Sequence, residues 1–289
     1  MNLNGSTVIV TGASAGIGWE TALAFARRGA NVVLAARREE RLRELAARIE
    51  RIGVEALVVP TDVGRPEDIA RLVQATLDRF GRIDVLVNNA GFGFSGTIEE
   101  TTEADMRELW DVNYMSAFLA TKAVLPVMRR QRRGHIVNVS SVVGKLAFPF
   151  HGAYSATKFA LIGMTEALRG ELEGSGVTAT VVLPASTRTE FFDVQRTHDG
   201  HVSAPPGPQQ DPDAVARAIV RSVRRPTPEV NMVRPFRIAY GLAAFFPFLR
   251  DFAGRQFYRR SKGRPRRMPA APTEAGSENV DVETDMDAR

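Results

Sequence analysis

The chain has 289 residues, 44% of them hydrophobic, and carries a net charge of +5 with no cysteine. A chain of this length and apolar content can bury one large α/β core with short appendages. The absence of cysteine excludes disulfides and thiolate metal sites, and residues 1–12 lack the pattern of a secretory signal. We therefore expect a cytoplasmic protein.

Short β-branched runs alternate with longer segments of helical periodicity from residue 7 to about residue 233. This alternation predicts an α/β fold in which helices cover both faces of a doubly wound parallel sheet. Thr101 or Thr102 is expected to cap the long helix that contains Asn113. Residues 1–233 are thus predicted to form one seven-stranded Rossmann domain, with strands at Thr7–Thr11, Asn31–Ala36, Ala56–Pro60, Ile83–Val87, His135–Ser140, Thr178–Leu183 and Glu229–Val233.

A glycine-rich turn follows the first predicted strand, where residues 11–18 read TGASAGIG. Glycines allow a tight turn and let backbone N–H groups approach a pyrophosphate at the start of a helix. A plain strand-to-helix turn also uses glycine, so the cluster alone is weak evidence. Its position after the first strand favours a dinucleotide site whose candidate residues are Gly12, Ser14, Ala15, Gly16, Ile17 and Gly18.

The end of the second strand bears on the choice of dinucleotide. An enzyme specific for NAD usually has an acid here that binds the ribose 2′-hydroxyl. This chain has Ala36 followed by Arg37 and Arg38, whose guanidinium groups could pair with the 2′-phosphate of NADP(H). The two arginines could instead form a solvated helix start with Glu39 and Glu40, an interpretation that fits Arg38 better than Arg37. The pattern predicts NADP(H) as the cofactor.

Three further residues suggest proton transfer. Tyr154 and Lys158 are four residues apart in a helical segment and so share one face. A nearby ammonium is expected to lower the pKa of the phenol, which could then exchange a proton with a substrate oxygen. Ser141 follows the fifth strand and could hold the same oxygen. Each residue alone could be structural, but together they predict a catalytic group for carbonyl reduction or alcohol oxidation.

These motifs, in this order, resemble those of the short-chain dehydrogenase/reductase family over roughly Gly5–Val233. The turn at residues 11–18 resembles the family's glycine motif, residues 88–91 its Asn-Asn-Ala-Gly motif, and Tyr154 with Lys158 its Tyr-x3-Lys motif. The family's catalytic serine corresponds to Ser141 in preference to Ser140. The resemblance therefore implies a hydride-transferring oxidoreductase.

The resemblance also implies roles that spacing alone does not give. Asn113 would help to hold a water chain leading to Lys158, which would itself bind the nicotinamide ribose. The remaining cofactor contacts implied by the family are Asp62 and Val63 at the adenine, Asn89, Ala90 and Gly91 at the ribose, and Pro184, Thr187 and Thr189 at the nicotinamide. Ala185 departs from the family, which usually has glycine after this proline.

The family commonly forms homodimers or homotetramers through the helices that here contain Asn113 and Tyr154. We expect the same of this chain, because the second helix carries more apolar residues than one sheet face needs: Phe159, Leu161, Ile162, Met164 and Leu168.

Other functional classes are less consistent with the sequence. His198 and His201 have no third metal ligand nearby, so no metal site is expected. The basic run 255–267 belongs to no recognisable nucleic-acid-binding module, so no nucleic acid is expected. A catalytically silent NADP-sensing or scaffolding protein on the same fold remains an alternative. The substrate is predicted only as a small carbonyl or alcohol.

The C-terminal part departs from the alternating pattern. Residues 221–267 contain thirteen Lys or Arg and two acids, and residues 234–262 form a basic, aromatic-rich extension. Its residues 236–260 could be a helix over the substrate cleft or a subunit interface. They could also be a helix in the plane of a membrane, which would favour a lipophilic substrate. Pro247 is expected to kink this helix. Residues 189–211 are predicted to be a long loop, and residues 263–289 a disordered tail.

Overall fold

A computed structural model describes residues 1–192, 195–197, 209–233, 236, 240–242 and 245–261. The two histidines weighed as metal ligands, His198 and His201, and the predicted tail at 263–289 lie outside these residues. Among the described helices, none combines the length and hydropathy needed to cross a bilayer.

The main sheet confirms the predicted fold class, because seven parallel strands are flanked by helices on both faces. Its strands are β1 (Thr7–Thr11), β2 (Asn31–Ala36), β3 (Ala56–Pro60), β4 (Val85–Asn88), β6 (Gly134–Val139), β7 (Val177–Leu183) and β9 (Glu229–Asn231). The spatial order is β3-β2-β1-β4-β6-β7-β9. The strand order reverses between β1 and β4, and ligands of such sheets bind beside the carboxyl ends of the strands at this point.

The described helices are α1 (Gly16–Ala26), α2 (Glu39–Glu50), α3 (Pro66–Phe80), α4 (Glu103–Trp110), α5 (Ser116–Gln131), α6 (Gly152–Glu171), α7 (Pro212–Arg224) and α8 (Pro247–Ser261). Thr102 caps α4 through a reciprocal capping box with Asp105, which identifies it as the predicted cap in preference to Thr101. A π-helical turn, Asp111–Met115, joins α4 to α5.

The sheet divides the apolar core into two layers. In β1, Val8 and Val10 belong to one buried cluster with residues of α1 and α7, whereas Ile9 belongs to the other, with residues of α3 and α5. This alternation follows from the two-residue period of a strand. Because both faces are covered, β1 is buried along its whole length, and the polar groups of the site are confined to the strand ends.

The boundaries of four strands differ from the sequence prediction. β4 begins at Val85 and not at Ile83, since the fully buried Asp84 turns its carboxylate toward the Thr7 backbone N–H (2.9 Å) and pairs with Arg82. β4 also ends one residue later than predicted, at Asn88, and β6 is shifted by one residue to Gly134–Val139. β7 begins one residue earlier, at Val177, and β9 ends at Asn231.

The segment predicted to be a loop at residues 189–211 contains regular structure in its described part. Residues Glu190–Phe192 form a 3₁₀ turn, and a short strand β8 (Arg196–Thr197) pairs with β5 (Phe94–Ser95). The prediction missed both because each is too short to show periodicity.

Pro247 does not kink a helix, contrary to expectation, but begins α8. Proline is favoured at the first position of a helix, where its missing N–H would have no intrahelical partner.

Candidate active site

The sequence-predicted site residues converge at the carboxyl edge of the sheet. The glycine turn follows β1, Asn89 to Gly91 follow β4, and Ser141 follows β6. Tyr154 and Lys158 lie in the first two turns of α6, and Asn113 lies in the π-helical turn between α4 and α5. The glycine turn and Asn89 to Gly91 flank the switch point between β1 and β4, and Ser141 lies one strand further along the same edge.

The glycine turn is closely packed against the end of β4. Gly12 has φ +66°, and a Cβ there would lie 2.9 Å from the Asn89 Nδ2. A Cβ on Gly18 would collide with the Gly12 carbonyl oxygen, so neither position tolerates a side chain. Among the described residues no side chain caps Ala15 at the start of α1. The helix N-terminus therefore offers free N–H groups and a positive dipole end that fit a pyrophosphate.

Arg38 is the arginine that contacts this turn. Its Nη2 and Nε donate to the Ser14 hydroxyl at 3.2 and 3.3 Å, and its Nη1 pairs with the Glu190 carboxylate at 2.8 Å. Arg41 lies 3.9 Å from the same carboxylate. Arg37 is exposed and makes no hydrogen bond or ion pair with the described part of the chain. The geometry therefore favours Arg38 over Arg37 as a phosphate ligand, the reverse of the sequence-based ranking.

Asp62 and Val63 follow β3 at the same edge and are half-buried. The Asp62 carboxylate accepts the Gly64 backbone N–H at 3.0 Å, and the Asp62 backbone N–H donates to the Asp68 carboxylate at 2.8 Å. The carboxylate predicted to meet the adenine is thus held by its own turn.

The residues of the Asn-Asn-Ala-Gly segment, 88–91, have two kinds of role: some hold the strands together and others shape the site. Asn88 is buried and donates to the Asn138 Oδ1 at 2.8 Å, so it joins β4 to β6. The Ala90 N–H donates to the Thr11 hydroxyl at 3.1 Å. A Cβ on Gly91 would lie 2.9 Å from the Asn113 Oδ1 and 3.5 Å from the Lys158 Nζ. Glycine at position 91 therefore keeps open the space between these two groups.

The π-helical turn gives Asn113 its orientation. The side chain is almost fully buried, its Oδ1 accepts the Phe92 N–H at 2.9 Å, and its Nδ2 donates to the Phe92 carbonyl at 3.0 Å. A single π turn inside an α-helix is a common feature of functional sites. The sequence predicts Asn113 in a helix but carries no clear signal for this π-helical turn.

Tyr154, Lys158 and Ser141 form the centre of the site. The Ser141 hydroxyl hydrogen-bonds to Tyr154, while the neighbouring Ser140 hydroxyl donates to the Lys158 carbonyl at 2.9 Å. The Lys158 Nζ donates to the Val139 carbonyl at 3.1 Å and lies 5.8 Å from the centre of the Tyr154 ring. The arrangement supports Ser141, and not Ser140, as the partner of the tyrosine.

Burial controls the protonation of this pair. Desolvation raises the pKa of Tyr154 above its ordinary value, and the Ser141 hydrogen bond only partly opposes that shift. Burial lowers the pKa of Lys158 to about 8. The expected lowering of the phenol pKa by the ammonium is therefore wrong for this structure, because desolvation of the phenolate is the largest effect on this group. The phenol is protonated at neutral pH.

An apolar pocket surrounds the Tyr154 ring. Phe94, Leu109 and Ala153 are buried against it, and Phe191 packs on it with ring centroids 5.9 Å apart. These neighbours exclude water from the phenol. They also form a surface that favours an apolar group next to the reacting atoms.

The segment after β7 is held by a residue that sequence reasoning missed. Gln210 accepts the Ala185 N–H through its Oε1 at 3.1 Å and donates its own N–H to the Ser186 carbonyl at 2.7 Å. A Cβ on Gly16 would lie only 2.8 Å from the Thr189 Cγ2, so this threonine packs directly on the glycine turn. Gln210 thereby positions the Pro184–Thr189 segment, including Ala185, beside the glycine turn.

A parallel sheet of this order with a polar site at its switch point is the architecture of the dinucleotide-binding Rossmann class. The profile of the short chain dehydrogenase family matches residues 6–200, about two thirds of the sequence. The chain belongs to this family, as the sequence motifs predicted.

Individual relatives agree with this assignment. The ketoacyl reductase HetN of Nostoc sp. is 37% identical over 229 residues, which make up 79% of this chain and 78% of the Nostoc protein. A short-chain dehydrogenase from Sphingobium yanoikuyae, solved in complex with NADPH, is 33% identical with a TM-score of 0.73, covering 85% of this chain and 96% of that one. A short chain dehydrogenase/reductase from Burkholderia phymatum, solved in complex with NAD, is 25% identical with a TM-score of 0.76, covering 94% and 100%. Structural relatives thus include proteins that bind either nicotinamide cofactor.

Proposed function

We propose that this oxidoreductase uses NADP(H) to interconvert a carbonyl and an alcohol, with Tyr154 as the general acid and base. The observation that carries the proposal is the buried Tyr154 phenol, hydrogen-bonded to Ser141 and backed by Lys158 and Asn113. The bound nicotinamide supplies or accepts the hydride. Ser141 holds the substrate oxygen, and Tyr154 gives it a proton during reduction or takes one during oxidation.

The protonation state of Tyr154 at neutral pH is the one that a reduction requires. Because burial raises the pKa of this phenol, it carries at neutral pH the proton that a carbonyl oxygen would receive. The apolar neighbours Phe94, Leu109 and Phe191 favour a substrate with a hydrophobic group next to that carbonyl.

The test of the reaction is a screen of aldehydes, ketones, sterols and lipid-derived carbonyls, followed through NADPH consumption by the full chain. Turnover of one class would support the proposal and identify the substrate. NADPH binding without turnover of any carbonyl, or of the matching alcohols with NADP⁺, would instead favour a cofactor-sensing or scaffolding protein.

The choice of cofactor gives a sharper prediction. Arg38→Ala should lower the preference for NADPH over NADH by roughly tenfold to a hundredfold, since a charge-assisted phosphate contact contributes about 1.5–3 kcal/mol. Arg37→Ala removes one positive charge at the neighbouring position. It should lower the NADPH preference less than Arg38→Ala, because Arg37 does not contact the glycine turn in the described part of the chain. Direct fluorescence titrations with both cofactors measure the difference.

A third variant should raise the preference for NADPH over NADH instead of lowering it. The Glu190 carboxylate pairs with Arg38, so a cofactor phosphate must compete with it. Glu190→Gln should therefore tighten NADPH and leave NADH nearly unchanged. Equal NADPH and NADH affinities in the unmodified protein would overturn the NADP assignment.

We also infer a homodimer or homotetramer through α5 and α6. The surface available for it is smaller than the sequence predicted, since Leu161, Ile162 and Leu168 are buried in the core of the same chain. Phe118 and Phe159 remain exposed, at 39% and 42%. Light scattering at micromolar concentration should give a dimeric or larger mass, which Phe118→Ser with Phe159→Ser should reduce. A monomeric mass of the unmodified protein would contradict the inference.

A further inference from the structure

The C-terminal helix has two unlike faces, and one of them is attached to the domain. Phe257 packs on Phe148 with ring centroids 5.8 Å apart, and Tyr258 stacks on Phe150 at 5.3 Å. Phe148 and Phe150 lie in the segment just before α6, the helix that contains Tyr154. The last turns of α8 are therefore anchored beside the candidate active site, as the cleft-cover interpretation of this segment expected.

The opposite face is apolar and exposed. Phe245, Phe248 and Phe252 are 82%, 65% and 63% exposed, and Phe246 and Leu249 are each 46% exposed. These five large apolar side chains lie within eight residues, on the first turns of α8 and on the two residues before it, and the Phe246 and Phe248 rings are in contact with centroids 6.0 Å apart. The other exposed large apolar side chains among the described residues are Ile52, Ile98, Phe118, Phe159 and Leu242. A contiguous exposed apolar patch usually marks a surface that contacts a partner or a membrane.

Positive charge continues the same face toward the end of the helix. Residues 248, 252, 255 and 259 follow helical spacing and lie on one side, so the two phenylalanines lead into Arg255 and Arg259. Arg250 and Arg260 add charge, and Asp251 is the only acid in the helix sequence. An aromatic patch beside a row of arginines is complementary to a surface with an apolar interior and negative headgroups.

We propose that the exposed face of residues 245–260 docks on an anionic lipid bilayer, with the phenylalanines in the acyl boundary and the arginines among the headgroups. A symmetric contact with a second copy through this face fits less well, because it would bring two rows of arginines together. If the proposed function also holds, this placement puts the site next to a membrane-dissolved carbonyl substrate.

The test is co-sedimentation of the full chain with vesicles of phosphatidylcholine and phosphatidylglycerol, compared with phosphatidylcholine alone. We expect pelleting with the anionic vesicles that high salt reverses. Phe248→Ser with Phe252→Ser should weaken the partition coefficient about tenfold or more. Arg255→Gln with Arg259→Gln and Arg260→Gln should weaken binding to the anionic vesicles and reduce its salt dependence.

Matched controls make the outcome specific. Ile52→Ser removes an exposed apolar side chain, and Arg27→Gln with Arg28→Gln and Arg130→Gln removes three exposed charges, all outside α8. NADPH binding by each variant reports that it is folded.

The proposal is wrong if the unmodified chain stays in the supernatant, or if the controls lose binding as much as the α8 variants. It is also wrong if the phenylalanine variants change only the mass in light scattering, which would identify a second copy as the occupant. Pelleting requires no turnover, so the result is independent of the carbonyl screen.

Discussion

Tyr154→Phe should reduce turnover by about a hundredfold to ten-thousandfold and leave NADPH affinity nearly unchanged. The substitution removes only the hydroxyl that exchanges a proton with the substrate, and a positioned general acid contributes roughly 10²–10⁴ to a rate. The phenyl ring remains in its apolar pocket of Phe94, Leu109 and Phe191, so the fold and the cofactor site should be preserved. Steady-state rates and a direct NADPH titration separate the two effects.

The matched control for this substitution is Tyr114→Phe. It removes a phenol whose ring packs on Trp110, 4.5 Å away, and that is not one of the proposed catalytic groups. The control should retain its rate. A Tyr154→Phe enzyme with near-normal turnover would rule out Tyr154 as the general acid, and loss of NADPH binding would show that the phenol has a structural role.

The fold was predictable because its signal is local and repeated. Each strand is a short β-branched run ended by a turn residue, and β1, β2 and β3 have their predicted boundaries. The prediction of β4 was wrong by two residues at its start. The strand begins only after the buried Asp84, whose carboxylate is bound by Thr7 and Arg82, and such a tertiary contact leaves no periodic trace in the sequence.

The membership of the site was predictable from motif spacing, but its contacts depend on residues distant in the chain. Arg38 contacts the glycine turn through Ser14 and is paired with Glu190, 152 residues further along. Gln210 positions the segment after β7 from within a region that sequence reasoning treated as a loop. The phenol pKa moved opposite to expectation because spacing shows that a lysine is near but not how deeply the tyrosine is buried. The catalytic roles themselves stay predictions.

Lys158→Met should remove turnover and yet stabilise the protein at neutral pH. The lysine is 4% exposed, and burial lowers its pKa from 10.5 to about 8. This shift means that the buried ammonium destabilises the folded state by about 3 kcal/mol at pH 7, since each pKa unit corresponds to about 1.4 kcal/mol. Methionine has a similar length without the charge. Its substitution loses the hydrogen bond to the Val139 carbonyl, worth about 1 kcal/mol, and so leaves a net gain.

The pH dependence distinguishes this cause from simple repacking. Below about pH 8, Lys158 is charged in both the folded and the unfolded chain, so the penalty is fully present. Between about pH 8 and 10.5 the folded state releases its proton first, so this group's contribution to the free energy of unfolding rises with pH. The stability advantage of Lys158→Met should therefore be largest at pH 7 and disappear by about pH 10.5 in urea unfolding. Lys122→Met, at an exposed position, should show no such dependence. If Lys158→Met is less stable than the unmodified protein by the same amount at pH 7 and at about pH 10.5, the prediction is wrong. That result would mean that Lys158 stabilises the fold by packing and that its desolvation does not destabilise it.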